Sequence, residues 1–410
     1  MIRRAVFGIM TVLMCIQALQ LSSLPTIALL APNQRFTTIQ EMRRIAQPIF
    51  ARGLCSTSQE PRTNRIVGVP VLSADGKRIL TVIRFHRFGT GVPLDDGSPS
   101  EVWSWDTESG SKVRVLPNID NDVHSIALSP DGSQILTFET GFRTHNRDST
   151  VRLWDAGTGT EIQQLSLKRC ETHEVKPSPD GDYALISANL FERYPLTDTT
   201  LLWNTRTGEK VRWFDGAILP RFSPDGKSII ALSSVPGFTG IVKWNAATGN
   251  VTWKRKLDGY SSILFQSEKF VFCQIESTHN YKSQHIGHIL DAATGEEVRT
   301  MAIPREWFFG ADFSPDGQAI WTYSDRYVKD SHGVVYHYEA RRINIVSGKT
   351  ERTIEMARPP SIRYPTSSFQ LLPNGRQALV SWSDGSMCLN DLTTGKIIRR
   401  FTNSEINAAP

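Results

Sequence analysis

The feature that most constrains this chain is a turn that recurs seven times at nearly equal spacing. Its closing glycine recurs at intervals of 41 to 53 residues, at Gly110, Gly159, Gly208, Gly249, Gly295, Gly348 and Gly395. A second turn lies upstream in six of the copies, as Ser-Pro-Asp-Gly in four, Ser-Ala-Asp-Gly in one and Leu-Pro-Asn-Gly in one. Two turn motifs repeating in register predict a row of similar structural units along most of the chain.

Each unit contains four short apolar runs separated by turns, as the copy at 128–165 illustrates. The Pro-Asp-Gly sequence at 130–132 forms a tight turn because proline presets φ and glycine permits a positive φ. Val151 and Leu153 alternate with polar residues, which is typical of a strand. The pattern predicts a four-stranded antiparallel meander that is too small to bury both of its faces alone.

The sequence Val-Arg-Leu-Trp-Asp at 151–155 follows such a turn, and here the chain resembles the WD-repeat (WD40) family. The resemblance covers 66–401 and implies an all-β fold, a seven-bladed β-propeller of four-stranded antiparallel blades. The Gly-His dipeptide that usually precedes the first strand in this family is absent from every copy. Because the last copy ends in a fourth strand of its own, at 397–401, we expect the ring to close by packing rather than by strand exchange.

A third-strand position holds tryptophan in the first four copies, at Trp105, Trp154, Trp203 and Trp244. Neighbouring blades cover both faces of each blade, so we expect these side chains to form the structural core. Replacement of Trp154 by alanine is then expected to cost about 3–5 kcal/mol, as for other large-to-small core changes.

The N-terminal 65 residues differ in character from the repeats. Residues 1–31 combine Arg3 and Arg4 with a long apolar run, which is typical of a signal peptide or, if uncleaved, of a signal-anchor helix. We therefore expect an exported protein that is periplasmic, secreted or anchored by this helix. A basic connector with a short helix is predicted at 32–65, the propeller at 66–401 and a disordered tail at 402–410.

Charge and cysteine usage narrow the functional classes. The arginines of the first 65 residues account for the net charge of +5, so the repeats themselves are close to neutral. This balance gives no electrostatic argument for nucleic-acid binding. Cys170, Cys273 and Cys388 fall in different, non-adjacent repeats, and we expect them to be buried and unpaired.

One end of the predicted ring holds nearly all of the length variation. The connections between second and third strands are predicted to be long loops at 84–101, 139–149, 188–199, 276–284 and 324–332. Insertions on one face, rich in aromatic residues and arginine, are typical of a binding surface. The candidate partner-binding residues are Phe85, His86, Arg87, Phe88, Arg143, His145, Arg147, Phe191, Arg193, Tyr194, Tyr281, Lys282, Arg326, Tyr327 and His332.

Two classes of function fit these observations. The first is a non-catalytic extracytoplasmic propeller that acts as a protein-binding scaffold through the long-loop face. The alternative is a quinoprotein-like (PQQ-type) ligand-binding or enzymatic propeller, because Trp244–Trp253 resembles the tryptophan-docking repeat of that group. Only this copy has tryptophan at that offset, and the chain contains no Gly-x-Ser-x-Gly and no phosphate-cradling loop. We therefore favour the scaffold, without catalytic residues or a cofactor.

The histidines raise the question of a metal site. All nine fall on or beside the long-loop face, but only His285 and His288 are closely spaced. Strand alternation would direct these two to opposite sides, so we expect packing or interface roles and no metal. The expected partners are proteins, with no nucleic acid, and with membrane contact only through an uncleaved N-terminal segment.

Overall fold

The computed structural model describes eleven stretches of the chain, which form strands and turns. They are 63–86, 100–119, 122–140, 148–191, 197–257, 260–279, 282–303, 308–330, 333–358, 366–382 and 385–401. Within these stretches, no helix is long and apolar enough to cross a membrane. The predicted signal segment at 1–31, the connector helix and the tail at 402–410 lie outside the described residues.

The described residues form seven antiparallel sheets, each made of four strands that are consecutive in the chain. Blades 1 to 4 contain β1 (Thr63–Leu72), β2 (Arg78–His86), β3 (Ser100–Asp106), β4 (Lys112–Ile119); β5 (Asp122–Leu128), β6 (Gln134–Thr140), β7 (Ser149–Asp155), β8 (Glu161–Leu167); β9 (Cys170–Pro177), β10 (Tyr183–Leu190), β11 (Thr197–Asn204), β12 (Lys210–Asp215); and β13 (Ala217–Phe222), β14 (Ser228–Val235), β15 (Phe238–Asn245), β16 (Val251–Lys256).

Blades 5 to 7 follow the same plan. They contain β17 (Tyr260–Gln266), β18 (Phe270–His279), β19 (Lys282–Asp291), β20 (Glu297–Ile303); β21 (Phe308–Phe313), β22 (Ala319–Asp330), β23 (Gly333–Asn344), β24 (Thr350–Glu355); and β25 (Thr366–Leu371), β26 (Gln377–Trp382), β27 (Met387–Asp391), β28 (Ile397–Phe401).

The first strand of every blade is the innermost. Each first strand contacts the first strand of the next blade, and β25 contacts β1, so the seven first strands surround an axis. The fourth strands lie at the outer rim, where most residues are exposed. The predicted seven-bladed all-β propeller is confirmed. Its first strand begins at Thr63, three residues before the predicted start of the repeats.

The core is divided into seven apolar clusters, one at each interface between neighbouring blades. Strand β2 shows how one strand serves two clusters. Ile79 and Ile83 pack against blade 7, whereas the alternate residues Leu80 and Val82 pack against blade 2. Both faces of a blade are therefore buried, which explains why its inner strands are apolar at nearly every position.

The ring closes by packing between blades 7 and 1, as the sequence predicts. The Trp105 and Phe401 rings meet edge to face with their centroids 6.0 Å apart. Gln370 joins the two inner strands, because its Nε2 donates to Pro70 O at 2.6 Å and its Oε1 accepts the Leu72 N–H at 3.3 Å. Each terminal blade keeps four strands of its own.

The four third-strand tryptophans are not equally buried. Trp203, Trp105 and Trp244 are 0 %, 2 % and 8 % exposed, but Trp154 is only half-buried, so its assignment to the core needs correction. Each side chain faces the outer strand of the preceding blade. Phenylalanine rings cover Trp105 and Trp244, whereas Trp154 faces the smaller Leu116 on β4, whose pairing with β3 is interrupted twice.

The three described cysteines are buried and are not joined by disulfides. Cys170, Cys273 and Cys388 lie in blades 3, 5 and 7, and each packs within an interblade cluster. Desolvation raises the pKa of Cys273 to about 12, so this thiol stays protonated and behaves as a small apolar side chain.

Candidate partner-binding face

The two ends of the ring differ in construction. At the first, which we call the turn end, lie the turns between first and second strands and between third and fourth strands. At the opposite end, which we call the hairpin end, lie the connections between second and third strands. A binding surface can be assigned by comparing the two.

The turn end is built from nearly identical hydrogen-bonded turns. In blade 2, Ser129 Oγ donates to Asp131 Oδ1 at 2.6 Å and accepts the Gln134 N–H at 2.9 Å. Hydrogen bonds from Ser129 and Ser133 hold the pKa of Asp131 below its usual value. Equivalent serine–aspartate pairs close the first turns of blades 1, 3, 4 and 6. This end therefore presents the same short surface in blade after blade.

A second contact at the turn end, which the motif analysis missed, joins neighbouring blades. In four blades, the outer strand carries an arginine four residues after the turn glycine. Its guanidinium donates to a carbonyl in the next blade, in the turn between the third and fourth strands. The clearest case is Arg399 Nη1, 2.7 Å from Ser109 O across the closure. The other three are Arg212, Arg299 and Arg352. The recurring sequence signal is an arginine at a fixed offset from Thr-Gly or Ser-Gly.

This arginine also helps to explain why the turn glycine recurs. Gly249 has a φ of +74°, which favours glycine, and a Cβ there would lie 2.0 Å from Arg212 Nη1 of the preceding blade. The backbone conformation and the neighbouring blade thus impose the same residue.

In the part of the chain that the structure describes, the hairpin end is irregular because two hairpins extend beyond the rest of their blades. In blade 6, β22 and β23 remain paired from Ala319↔Asn344 to Asp330↔Gly333, whereas the described pairing to β21 and β24 ends near Ser324 and Glu339. About five residue pairs therefore project, which corresponds to roughly 17 Å of strand. In blade 5, β18 and β19 pair as far as His279↔Lys282.

These hairpins correct two predicted loops. The stretches 276–284 and 324–332 were predicted to be long loops between second and third strands, and that prediction is wrong for most of their length. They continue the strands, which stay paired as far as His279↔Lys282 in blade 5 and Asp330↔Gly333 in blade 6. Strand-forming residues such as Thr278, Tyr327 and Val328 favour this extension more than the intervening charges oppose it.

The structure describes the backbone of six candidate partner-binding residues. Phe85 and His86 end β2, Lys282 begins β19, and Arg326 and Tyr327 lie on the projecting part of β22 opposite His337 and Tyr336. The half-buried Phe191 follows β10, and its N–H donates to Arg169 O at 2.9 Å. The other candidates lie outside the described residues: Arg87, Phe88, Arg143, His145, Arg147, Arg193, Tyr194, Tyr281 and His332.

In blade 2, a polar network joins the second and third strands. Trp154 Nε1 donates to Thr137 Oγ1 at 2.9 Å, and the Thr137 hydroxyl donates to the buried Glu139 at 3.1 Å. Arg152 Nη1 completes this chain of contacts 2.8 Å from Glu139 Oε2. The network fixes the second and third strands where they approach the hairpin end.

Four histidine side chains are described, and they contact carboxylates or are exposed. His288 Nδ1 is 2.7 Å from Glu297 Oε2, and His337 Nδ1 is 2.9 Å from Glu355 Oε1. His124 and His173, in the first strands of blades 2 and 3, are exposed. Among the described residues, no group of three histidine, cysteine, aspartate or glutamate side chains is placed to hold a metal ion.

Comparison with known proteins establishes the fold. No family model matches the chain, and no curated protein matches its sequence. Among solved structures, the C-terminal WD40 domain of Sif2 is 15% identical, with 82% of this chain and 83% of that chain covered and a TM-score of 0.54. The chain has the fold of a WD40 propeller.

Two further structures show how widely this propeller architecture is shared. The Swd1 β-propeller domain from Myceliophteria thermophila is 13% identical, covering 82% of this chain and 99% of that one, with a TM-score of 0.56. Kuenenia stuttgartiensis hydrazine synthase is 15% identical, covering 83% and 98%, with a TM-score of 0.55. At such identities the similarity establishes the propeller fold and leaves the function to be argued from the chain itself.

Proposed function

We propose that this protein is a non-catalytic, exported propeller that binds a protein partner through its hairpin end. The observation that carries the proposal is the difference between the two ends. The turn end repeats one short turn, whereas the hairpin end presents projecting hairpins in two adjacent blades. Surfaces that vary from repeat to repeat on a rigid ring are typical of binding faces.

The composition of the blade 6 hairpin supports a protein partner. Its projecting segments, 326–330 and 333–337, contain two tyrosines and three valines beside Arg326, Lys329 and His337. An isolated two-stranded hairpin is marginally stable in water, and aromatic residues with arginine are enriched at protein interfaces. We infer that a partner covers this ribbon in the assembled state.

The quinoprotein alternative rested on Trp253, and its contacts are those of a blade–blade junction. Trp253 Nε1 donates to Ala292 O of blade 5 at 3.2 Å, and its ring packs on Gly295. It occupies the outer-strand position that arginines hold in other blades, away from the inner strands around the axis. We therefore put forward no cofactor site on this residue.

The test is affinity capture followed by cross-linking. In the first variant, residues 327–336 are replaced by Asn-Gly, which joins the paired residues Arg326 and His337 through a two-residue turn. The matched control changes the exposed turn-end lysines Lys227 and Lys349 to serine. We expect the control to retain the partner and the shortened hairpin to lose it, with cross-links from the wild-type chain mapping to blades 5 and 6. An unchanged partner list in the shortened variant, or loss in the control, contradicts the proposal.

A further inference from the structure

Two neighbouring inner strands, which line the propeller axis, each carry a cationic residue at the same strand position. The penultimate residue of each first strand is aligned around the ring, and in β9 and β13 it is Lys176 and Arg221. The other five blades hold no cation at this position, where they carry Val71, Ala127, Phe265, Asp312 and Gln370. Two positive charges therefore lie side by side on adjacent inner strands, near the turn end.

A single carboxylate positions both cations. Glu174 Oε1 is 3.0 Å from Lys176 Nζ, and Glu174 Oε2 is 2.7 Å from Arg221 Nη1. The same Arg221 nitrogen donates to Pro220 O at 2.8 Å. The Lys176, Arg221 and Glu174 side chains are 37 %, 25 % and 19 % exposed, so solvent reaches the group. One acid between two bases leaves a surplus of one positive charge.

Backbone strain accompanies this arrangement. Leu219 has a φ of +50°, and it is one of only two non-glycine residues with positive φ among the described residues. It lies where the pairing of β13 with β14 shifts between Ile218 and Arg221. A bulky aliphatic residue in the left-handed region is uncommon, and a bulge redirects the side chain that follows it. The strained bulge thus directs Arg221 back towards Glu174 of blade 3.

Burial and the three neighbouring charges together set the pKa directions in this group. Desolvation, together with the Arg221 charge, lowers the pKa of Lys176, even though Glu174 acts in the opposite direction. Desolvation would raise the pKa of Glu174, but the charges of Arg221 and Lys176 outweigh it and the pKa is lowered. Lys176 is accessible to water and yet closely surrounded by protein, as expected for a side chain in a concave wall. An anion placed there would relieve the excess of positive charge.

We propose that the inner wall between blades 3 and 4 binds a small polyvalent anion with carboxylate or phosphate oxygens, held by Lys176 and Arg221 while Glu174 fixes both side chains. The planar guanidinium suits two oxygens of one group, and the ammonium adds a compact charge beside it. Val69, two positions before Val71 in β1, is an exposed apolar residue of another inner strand, and ligand sites commonly combine apolar lining with few charged groups. The site lies near the turn end and is independent of the partner proposed for the hairpin end.

The experiment is calorimetric titration of the full-length protein with citrate and with pyrophosphate, at neutral pH and low ionic strength. We expect at least one of these anions to bind with one-to-one stoichiometry. Its affinity should fall as salt is added. Lys176→Met should weaken binding by about tenfold or more, because it removes one charge-assisted contact. Lys254→Met, which removes an exposed lysine from the outer strand of blade 4, should bind as the wild type does.

Glu174→Gln distinguishes a binding site from a purely structural ion pair. It removes the competing negative charge while keeping an amide oxygen for Arg221, so anion affinity should rise while Lys176→Met lowers it. Thermal unfolding of each variant shows that the ring is intact. Failure of both anions to bind the wild type at low-millimolar concentrations overturns the proposal, as does equal binding by folded Lys176→Met. A parallel loss of affinity in folded Lys176→Met and Glu174→Gln also overturns it.

Discussion

At the scale of single residues, the tryptophans show that a repeated sequence position need not have one energetic role. Trp105 Nε1 donates to Thr81 Oγ1 at 2.9 Å, and Trp154 makes the same bond to Thr137. In blade 3 the threonine position is occupied by Ile186, and the buried Trp203 Nε1 has no hydrogen-bond partner among the described residues. Burial rather than hydrogen bonding is therefore the main contribution of Trp203 to stability.

We accordingly expect two alanine substitutions at equivalent positions to differ in cost. Trp203→Ala removes a fully buried side chain and should cost about 3–5 kcal/mol, whereas Trp154→Ala should cost less, since water already reaches part of that ring. The measurement is urea unfolding of both variants and the wild type, followed by circular dichroism. Equal losses would mean that the exposed fraction of Trp154 has no energetic consequence.

At the scale of structural elements, the outer strands hold the blades in sequence. Six of the seven interfaces join blades that the chain itself connects, but blades 7 and 1 have no such connection at the closure. There the contacts are the Trp105–Phe401 pair, the Gln370 bonds and Arg399, whose guanidinium donates to Ser109 O. Because only non-covalent contacts hold blades 7 and 1 together, we expect the loss of one contact to separate strands more easily here than at the other interfaces.

Arg399→Met should therefore open the closure locally. We expect a loss of about 1 kcal/mol, as for one hydrogen bond at a partly exposed site, and faster amide exchange in β4 and β28. Arg352→Met is the matched control, because it removes the equivalent bond between blades 6 and 7, which the chain also connects. Amide hydrogen exchange, measured by mass spectrometry, compares the two variants. Equal protection of the strands beside each interface would show that a chain link between two blades does not stabilise their interface.

At the scale of the whole molecule, two kinds of carboxylate make the free energy of unfolding depend on pH in opposite ways. Hydrogen bonds in the turns hold the pKa of Asp131, Asp155 and their counterparts below the usual value, so their contribution is lost when acid protonates them. Asp312 behaves oppositely. It accepts the Leu371 N–H across the blade 6–7 interface at 3.2 Å, and burial raises its pKa to about 6.

The raised pKa of Asp312 leads to a prediction of defined sign. The folded state binds this proton more tightly than the unfolded state, so stability falls as pH rises from about 4 to about 6 and stays lower at neutral pH. Asp312→Asn keeps an oxygen acceptor and removes the charge. It should stabilise the ring at neutral pH by up to about 3 kcal/mol and give no advantage near pH 4. Urea unfolding between these pH values checks this, and a constant difference would contradict it.

Much of the ring could be predicted because its determinants are local and repeated. The turn motifs set the number of blades, and the self-contained last copy indicated closure by packing. The hairpin end was predicted less well. Whether 276–284 and 324–332 form loops or strands depends on pairing between two chain segments, and composition alone does not reveal that pairing. The Glu174 group was missed because its members belong to two blades and meet only across the axis wall.

The sequence by itself determined the unit, its count and its order, since proline, glycine and hydrogen-bonding side chains act within a few residues of each other. The tertiary structure alone decided which tryptophan is covered, how far the hairpins project and which charges share the inner wall. Those properties arise where neighbouring blades pack, between residues about 45 positions apart or, at the closure, between opposite ends of the ring.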